Sequence, residues 1–237
     1  MIKTILFDLD GTLMHMDQDL FIHEYFKLIA GYFADRGYDP VRFTKAMQKS
    51  VYCMINNDGA ETNETLFWKN FPKLYGDLRI GDDIPAFDLF YHTAFDKMKP
   101  YCAPKAGATE MLCKLRQSGY QLVLASNSVY PVIAYERRMG WCGLTTDLFD
   151  FMTTYENMHH CKPSKGYFLE IAEVMGVKPE ECLMVGNDVS DDMPARAAGM
   201  QVFLLDDTLL LNPQNEDLSV YPRGGFEELM RYIEANH

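Results

Sequence analysis

The sequence predicts an α/β protein with a doubly wound parallel sheet and an all-helical segment inserted after the first strand. Its 237 residues are 48% hydrophobic and 24% charged, which is a globular composition with the length of one large domain or two small ones. A short apolar run at the start is followed by about 80 residues of helical periodicity. Beyond residue 100, apolar runs alternate with helix-length segments, as in βαβ units of a parallel sheet covered on both faces.

The first half of the chain contains one predicted strand and then only helices. Residues 2–8 form a short apolar, β-branched run that an acid ends, and this pattern is typical of a buried strand. From about residue 18, apolar side chains recur at helical spacing as far as Gly37. Asp39-Pro40 resembles an N-cap followed by proline at the first helical position. The expected helices after Gly37 cover residues 40–54, 64–74 and 86–98.

The second half alternates between the two kinds of element. Strands are predicted at residues 121–125, 148–153, 182–185 and 201–205. The helices between and after them are expected near residues 106–118, 130–138, from Pro163-Ser164 onward, 191–198 and 226–235. This order predicts an α/β core made of residues 1–16 and 101–237, with a helical domain over residues 17–100.

Charge and cysteine usage exclude several function classes. There are 22 Lys and Arg against 34 Asp and Glu, a net charge of −12, so the surface repels nucleic acid. The six cysteines form no C-x-x-C pair, which favours reduced, non-catalytic thiols over a disulfide framework or a zinc site. No apolar run has the length of a signal-peptide core or a membrane span. We expect a cytoplasmic monomer or homodimer that binds neither nucleic acid nor membrane.

Polar and acidic residues follow three of the predicted strands. The carboxyl ends of parallel strands lie along one edge of a sheet, and ligands bind there. Carboxylates gathered at that edge raise one another's pKa unless a cation lies among them. Oxygen ligands that leave space for water and a phosphate favour Mg²⁺. The residues at these strand ends are Asp8 and Asp10, Ser126 and Asn127, and Asn187 and Asp188.

A phosphate at this edge also needs hydrogen-bond donors and a positive charge. Ser126 and nearby main-chain N–H groups are candidate donors to phosphoryl oxygens. Lys162, at a predicted helix start, is the candidate cation that bridges a phosphoryl oxygen and the acidic cluster. Lys105, Arg137 and Arg138 are further basic residues, and the sequence does not choose among them. Asp191 is interpreted as an acid that favours a helix N-terminus.

Four segments in this order resemble the haloacid dehalogenase-like (HAD) hydrolase superfamily, in the subgroup with a helical cap inserted after the first motif. The segments are Phe7–Leu13 (FDLDGTL), Leu122–Ser128 (LVLASNS), Cys161-Lys162-Pro163 and Met184–Met200 (MVGNDVSDDMPARAAGM). The resemblance covers the whole predicted core. It implies a Rossmann-like HAD core over residues 1–16 and 101–237 and a helical cap domain over residues 17–100, which closes over the substrate.

The resemblance also implies catalytic and metal-binding roles. Asp8 would be the nucleophile that forms an aspartyl-phosphate, and Asp10 the general acid and base. Asp8, the main-chain carbonyl of Asp10 and Asp188 would hold Mg²⁺. The fourth motif commonly begins Gly-Asp, whereas this chain has Asn187 before Asp188. Which of this pair contacts the metal therefore stays open, although charge favours Asp188.

The remaining implied roles concern the phosphate. Thr12, Ser126 and Asn127 would bind it, Lys162 would hold both the nucleophile and the phosphate, and Asp192 would orient Lys162. The predicted function is a Mg²⁺-dependent phosphatase acting on a small phosphorylated metabolite. The alternatives are a phosphomutase similar to β-phosphoglucomutase and a non-catalytic module that binds a phospho-ligand or partner. A dehalogenase needs no metal, so the carboxylates around Asp8 argue against it.

Overall fold

The computed structural model describes residues 1–208 and 217–236. The predicted range of the core also includes residues 209–216 and 237, which lie outside the described residues. The strands are β1 (Thr4–Phe7), β2 (Met14–Met16), β3 (Cys102–Pro104), β4 (Gln121–Leu124), β5 (Phe151–Met152), β6 (Cys182–Gly186), β7 (Gln201–Leu205) and β8 (Arg223–Gly224). The α-helices are α1 (Gln18–Ala34), α2 (Pro40–Ile55), α3 (Asn63–Tyr75), α4 (Ile84–His92), α5 (Ala108–Gln117), α6 (Val132–Trp141), α7 (Lys165–Val174) and α8 (Phe226–Ala235).

Six strands form one parallel sheet in the order β5-β4-β1-β6-β7-β8. The predicted α/β class with a doubly wound parallel sheet is confirmed. β1 lies between β4 and β6, with Phe7 opposite Leu124 on one side and Val185 on the other. The residues that follow these three strands therefore leave the sheet side by side, as expected for a parallel sheet.

The sheet is buried on both faces. Ile5 and Phe7 pack into one apolar cluster, and Leu6 packs into the other, because successive strand side chains point to opposite faces. The cluster around Ile5 continues without interruption into the helices that precede β3, where Phe33 and Phe43 are fully buried. These helices and the sheet thus share one apolar core.

Residues 17–101, here called the helical segment, contain helices joined by turns and irregular loops, with no strand among them. Asp39 caps α2 as predicted, since its carboxylate accepts a hydrogen bond from the main-chain N–H of Arg42 at 2.7 Å. Whether this segment forms a separate domain stays a prediction. The described helices include none with the length and apolarity needed to span a membrane.

Several predicted boundaries are wrong. The helix expected over residues 86–98 is α4 followed by a 3₁₀ helix, Ala94–Tyr101. The helix expected over residues 191–198 is a 3₁₀ helix, Met193–Ala198, and the strand expected over 148–153 has two residues. Short strands β2 and β3 were not predicted. They pair with each other, Met14 opposite Pro104, and periodicity along the chain cannot reveal a pairing between residues this distant.

Candidate active site

The predicted cation and nucleophile meet directly beyond the end of β1. The ammonium of Lys162, at Nζ, lies 2.9 Å from Asp8 Oδ1 and 2.6 Å from Asp192 Oδ1. The Lys162 side chain is 1% exposed. Burial lowers the pKa of this lysine, but the carboxylates of Asp192 and Asp8 outweigh that effect and raise the pKa well above its ordinary value. Lys162 is therefore a permanent positive charge in the site.

Asp192 is held against the main chain at the end of β6. A Cβ atom on Gly186 would lie 2.0 Å from Asp192 Oδ2, so only glycine leaves space for this carboxylate. The same oxygen accepts a hydrogen bond from the N–H of Asp188 at 3.0 Å. Burial raises the pKa of Asp192, Lys162 lowers it, and Asp8 raises it again, with a net increase. Asp192 is thus fixed where it orients Lys162.

Asp10 is paired with a residue that the sequence analysis did not choose. Arg138, on α6, donates from Nη2 to Asp10 Oδ1, and its side chain is 1% exposed. The guanidinium also lies over the rings of Phe21 and Tyr130, at 4.8 and 5.8 Å from their centres. Burial raises the pKa of Asp10, Arg138 lowers it and Asp8 raises it, and the net shift is upward. A carboxyl group with a raised pKa is suited to proton donation near neutral pH.

The turn after Asp10 rests on Asn187. Gly11 has a φ of +78°, and a Cβ there would lie 2.2 Å from Asn187 Nδ2. Thr12 is fully buried, and its hydroxyl donates to Asn187 Oδ1 at 3.0 Å. Asn187 Nδ2 in turn donates to the carbonyl of Thr208 at 2.8 Å. In this structure Thr12 and Asn187 support the loop that carries Asp8 and Asp10.

The predicted phosphate-binding residues follow β4. Ser126 and Asn127 both line the cavity described below. The carbonyl of Ser126 accepts hydrogen bonds from the hydroxyls of Thr153 and Tyr167, each at 2.7 Å, and these bonds fix the main chain of the loop. Asn127 Nδ2 lies 3.4 Å from Asp191 Oδ2, while its buried Oδ1 has no partner among the described residues.

Asp188 and Asp191 complete the acidic floor. Asp188 Oδ1 accepts hydrogen bonds from the N–H groups of Ser190 and Asp191, at 2.7 and 3.2 Å. Both aspartates line the cavity, although the sequence pattern indicated only a helix N-terminal role for Asp191. Burial raises the pKa of Asp191; Lys162 lowers it, whereas Asp188 and Asp8 raise it further, and the net shift is upward. The carboxylates therefore repel one another, as predicted for this edge of the sheet.

Two of the basic residues that the sequence left open lie outside the cavity. Lys105 binds Asp207 at 2.9 Å and the carbonyl of Gly11 at 3.3 Å, and the second contact supports the loop after β1. Arg137 donates to the carbonyl of His92 at 3.0 Å on the surface. Arg138 differs because its α6 position faces the site, and sequence spacing does not distinguish it from its neighbour.

A cavity of about 350 Å³ connects the acidic floor to the helical segment. Its floor is polar and is made of Asp8, Asp10, Ser126, Asn127, Arg138, Lys162, Asp188, Asp191 and Asp192. Its upper walls are mostly aromatic and aliphatic and include Phe21, Ile22, Phe26, Met47, Val51, Phe67, Trp68 and Phe87. A polar end opposite an apolar body is the usual form of a small-molecule site.

The family model for haloacid dehalogenase-like hydrolases matches residues 2–199. The chain belongs to this family. Its HAD-like fold and hydrolase class, inferred above from four motifs, are thereby confirmed. The match includes Asp8, Asp10, Lys162, Asp188 and Asp192, but it does not by itself test the role of any of them.

Curated relatives and solved structures agree with this membership. The HAD-like hydrolase is 23% identical over 208 residues to "Pyrophosphatase PpaX" of Bacillus cereus, covering 88% of this chain and 85% of that protein. It is 24% identical over 228 residues to "Glyceraldehyde 3-phosphate phosphatase" of Methanothermobacter thermautotrophicus, covering 88% of each. A match of 25% identity to Arabidopsis thaliana "Protein SUPPRESSOR OF QUENCHING 1, chloroplastic" covers 54% of this chain and only 12% of that protein.

The structural neighbours show the fold. A "HAD phosphatase" of Thermococcus onnurineus superposes with a TM-score of 0.60 at 20% identity, over 98% of both chains. A "2-Haloacid Dehalogenase" of Pseudomonas syringae pv. Tomato DC3000 gives 0.63 at 20% identity, over 98% of this chain and 100% of that one.

The donor set of this HAD-like hydrolase fits the predicted Mg²⁺. No group of three or more His, Cys, Asp or Glu side chains within residues 1–208 and 217–236 is arranged to hold a metal. The ligand set that the resemblance implies is smaller, because it needs only two carboxylates, those of Asp8 and Asp188. A main-chain carbonyl, water and phosphate would supply the other oxygens. Lys162 binds one oxygen of Asp8, and no described residue hydrogen-bonds the other. Asp188 likewise has one oxygen without a hydrogen bond from the described chain.

Proposed function

We propose that this hydrolase is a Mg²⁺-dependent phosphatase that acts on a small phosphomonoester through an aspartyl-phosphate on Asp8. The observation that carries the proposal is the arrangement of Asp8, Asp10 and Lys162 at the polar end of the cavity. The names of the relatives, a pyrophosphatase and a phosphatase, support the same chemistry. The phosphate would lie over Asp8, with Ser126 and Asn127 beside it and the leaving group toward the helical segment.

The reaction needs two proton transfers, and the raised pKa of Asp10 suits both. In the first step the Asp8 carboxylate attacks phosphorus, the bond to the ester oxygen breaks, and Asp10 gives that oxygen its proton. In the second step water attacks phosphorus, Asp10 takes a proton from the water, and the bond to Asp8 breaks. Inorganic phosphate leaves and both carboxyl groups return to their starting states.

Lys162 and Mg²⁺ would balance the charge of the phosphate. Lys162 is pre-positioned by Asp192, so its ammonium needs no rearrangement when the phosphate arrives. Asp8, the main-chain carbonyl of Asp10 and Asp188 would hold Mg²⁺, which neutralises phosphoryl charge when bound. Asn187 is occupied with Thr12 and Thr208, so Asp188 is the better ligand of the pair.

The test is release of inorganic phosphate from a panel of phosphomonoesters, measured with Mg²⁺ and with EDTA. We expect turnover that EDTA abolishes and that Asp8→Asn lowers at least ~10³-fold. Asp10→Asn should stop turnover of esters with poor leaving groups, because those leaving groups need its proton. No phosphate release with any ester would overturn the phosphatase proposal. Interconversion of sugar phosphate isomers without release would instead establish the phosphomutase alternative.

A further inference from the structure

The upper part of the cavity differs from its floor in chemistry. Phe26, Phe67, Trp68 and Phe87 line it, together with aliphatic side chains such as Val51. Tyr25 and Tyr91 also line it, but their hydroxyls lie 2.7 Å apart and hydrogen-bond each other. The polar atoms of these two tyrosines are therefore already partnered, and their rings add to the apolar wall.

The described cavity lining contains two cations, and both lie near the floor. Lys162 lies between Asp8 and Asp192. Arg138 is paired with Asp10 through Nη2, while its buried Nε and Nη1 have no partner among the described residues. A second anionic group that extends beyond Arg138, between the aromatic side chains of the upper wall, would therefore meet carbon without a counter-charge. Burying an unpaired charge is strongly unfavourable, whereas burying an apolar group against such a wall is favourable.

We propose that the natural substrate carries one phosphate and an apolar leaving group, namely an aromatic or branched hydrocarbon alcohol or phenol. This inference rests on the proposed phosphatase function, because it places the phosphate at Asp8. The leaving oxygen then faces Asp10, and the hydrocarbon fills the space between α1, α2 and α3. The substrate class would thus differ from those in the names of the two phosphatase relatives, pyrophosphate and glyceraldehyde 3-phosphate.

The first experiment compares kcat/KM for the full chain with Mg²⁺. The probes are 1-naphthyl phosphate, phenyl phosphate, glucose 6-phosphate, glyceraldehyde 3-phosphate and pyrophosphate. We expect 1-naphthyl phosphate to exceed pyrophosphate about 10²-fold, with phenyl phosphate between them, because each buried apolar carbon adds affinity. A higher kcat/KM for pyrophosphate, glyceraldehyde 3-phosphate or glucose 6-phosphate than for both aryl esters would overturn the proposed substrate class and leave the phosphatase function intact.

A matched pair of variants on α2 tests the wall itself. Val51 lines the cavity and is partly buried, whereas Val41 on the same helix is 63% exposed and does not line it. Val51→Lys should lower kcat/KM for 1-naphthyl phosphate at least ~10-fold and raise that for pyrophosphate, since it adds a cation to the wall. Val41→Lys should change neither value. Equal effects of the two variants on both substrates would contradict the proposal.

A binding measurement separates this inference from the phosphatase proposal. Calorimetric titration of Asp8→Asn with 1-naphthyl phosphate and with pyrophosphate, in Mg²⁺, needs no turnover. Tighter binding of 1-naphthyl phosphate supports the apolar substrate class, whether or not the wild type hydrolyses any ester. A wild type that hydrolyses no ester would overturn only the phosphatase function. Tighter binding of pyrophosphate overturns the substrate class.

Discussion

Asn63 joins the helical segment to the loop after β4 and the loop before α7, and its removal should weaken that junction. Its side-chain nitrogen lies 3.1 Å from both the carbonyl and the hydroxyl oxygen of Ser128, and 3.3 Å from the carbonyl of His160. Its side-chain oxygen accepts a hydrogen bond from Asn57 at 2.9 Å. The residue is fully buried, so water cannot replace these partners.

The expected cost follows from the number of hydrogen bonds. The amide nitrogen has two hydrogens and the oxygen accepts one bond, so Asn63→Ala removes about three hydrogen bonds. At roughly 0.5–1.5 kcal/mol each, the free energy of unfolding should fall by about 3 kcal/mol. Asn63→Asp should cost more, because it places a carboxylate beside the carbonyl oxygens of Ser128 and His160.

Urea unfolding monitored by circular dichroism measures this change, with Asn70→Ala as the matched control. Asn70 is on the same helix, and among the described residues its amide bonds only the carbonyl of Leu66, one turn earlier. We expect the control to stay within about 0.5 kcal/mol of the wild type. An Asn63→Ala variant as stable as the control would show that this buried amide does not stabilise the contact between the helical segment and the two loops.

Three further predictions concern the site and its support. Lys162→Met leaves two carboxylates without their buried cation and should lower the free energy of unfolding in urea by about 3–5 kcal/mol. A loss below about 1 kcal/mol would contradict the idea that Lys162 balances the charges of Asp8 and Asp192. Gly186→Ala should cost at least about 1–3 kcal/mol by thermal unfolding, because its Cβ would overlap Asp192. Gly31→Ala, on a helix with open space at that position, should be neutral or up to about 1 kcal/mol stabilising, and equal effects of the two would argue against the overlap. Burial raises the pKa of the Cys161 thiol to about 12. Iodoacetamide at pH 7.5 should therefore label the partly exposed Cys53 and leave Cys161 unmodified, as measured by mass spectrometry. Equal labelling of the two cysteines would show that Cys161 is accessible and ionised.

The sequence alone determined the fold class and the sheet edge at which the candidate site lies. Apolar runs ending in small polar or acidic residues predicted strands and their carboxyl ends, and a parallel sheet brings such ends together. Asp8, Lys162 and Asp192 were each predicted, and the structure places Lys162 in direct contact with both aspartates. The periodicity of apolar residues predicted the strands and helices because each of these elements buries an apolar face that repeats along the chain.

Only the tertiary structure decided which distant residues complete the site. Arg138 is 128 residues from Asp10 in the chain, and no sequence pattern distinguishes it from Arg137. Whether a helical arginine faces a cavity or water depends on how its helix packs on the sheet. The pairing of β2 with β3, the support of the first loop by Asn187 and the apolar upper wall are likewise contacts between segments far apart in sequence. Such contacts form only when elements pack together. Local patterns therefore determine the elements and the sheet edge that carries the candidate site, while packing determines the charge balance and the shape of the cavity.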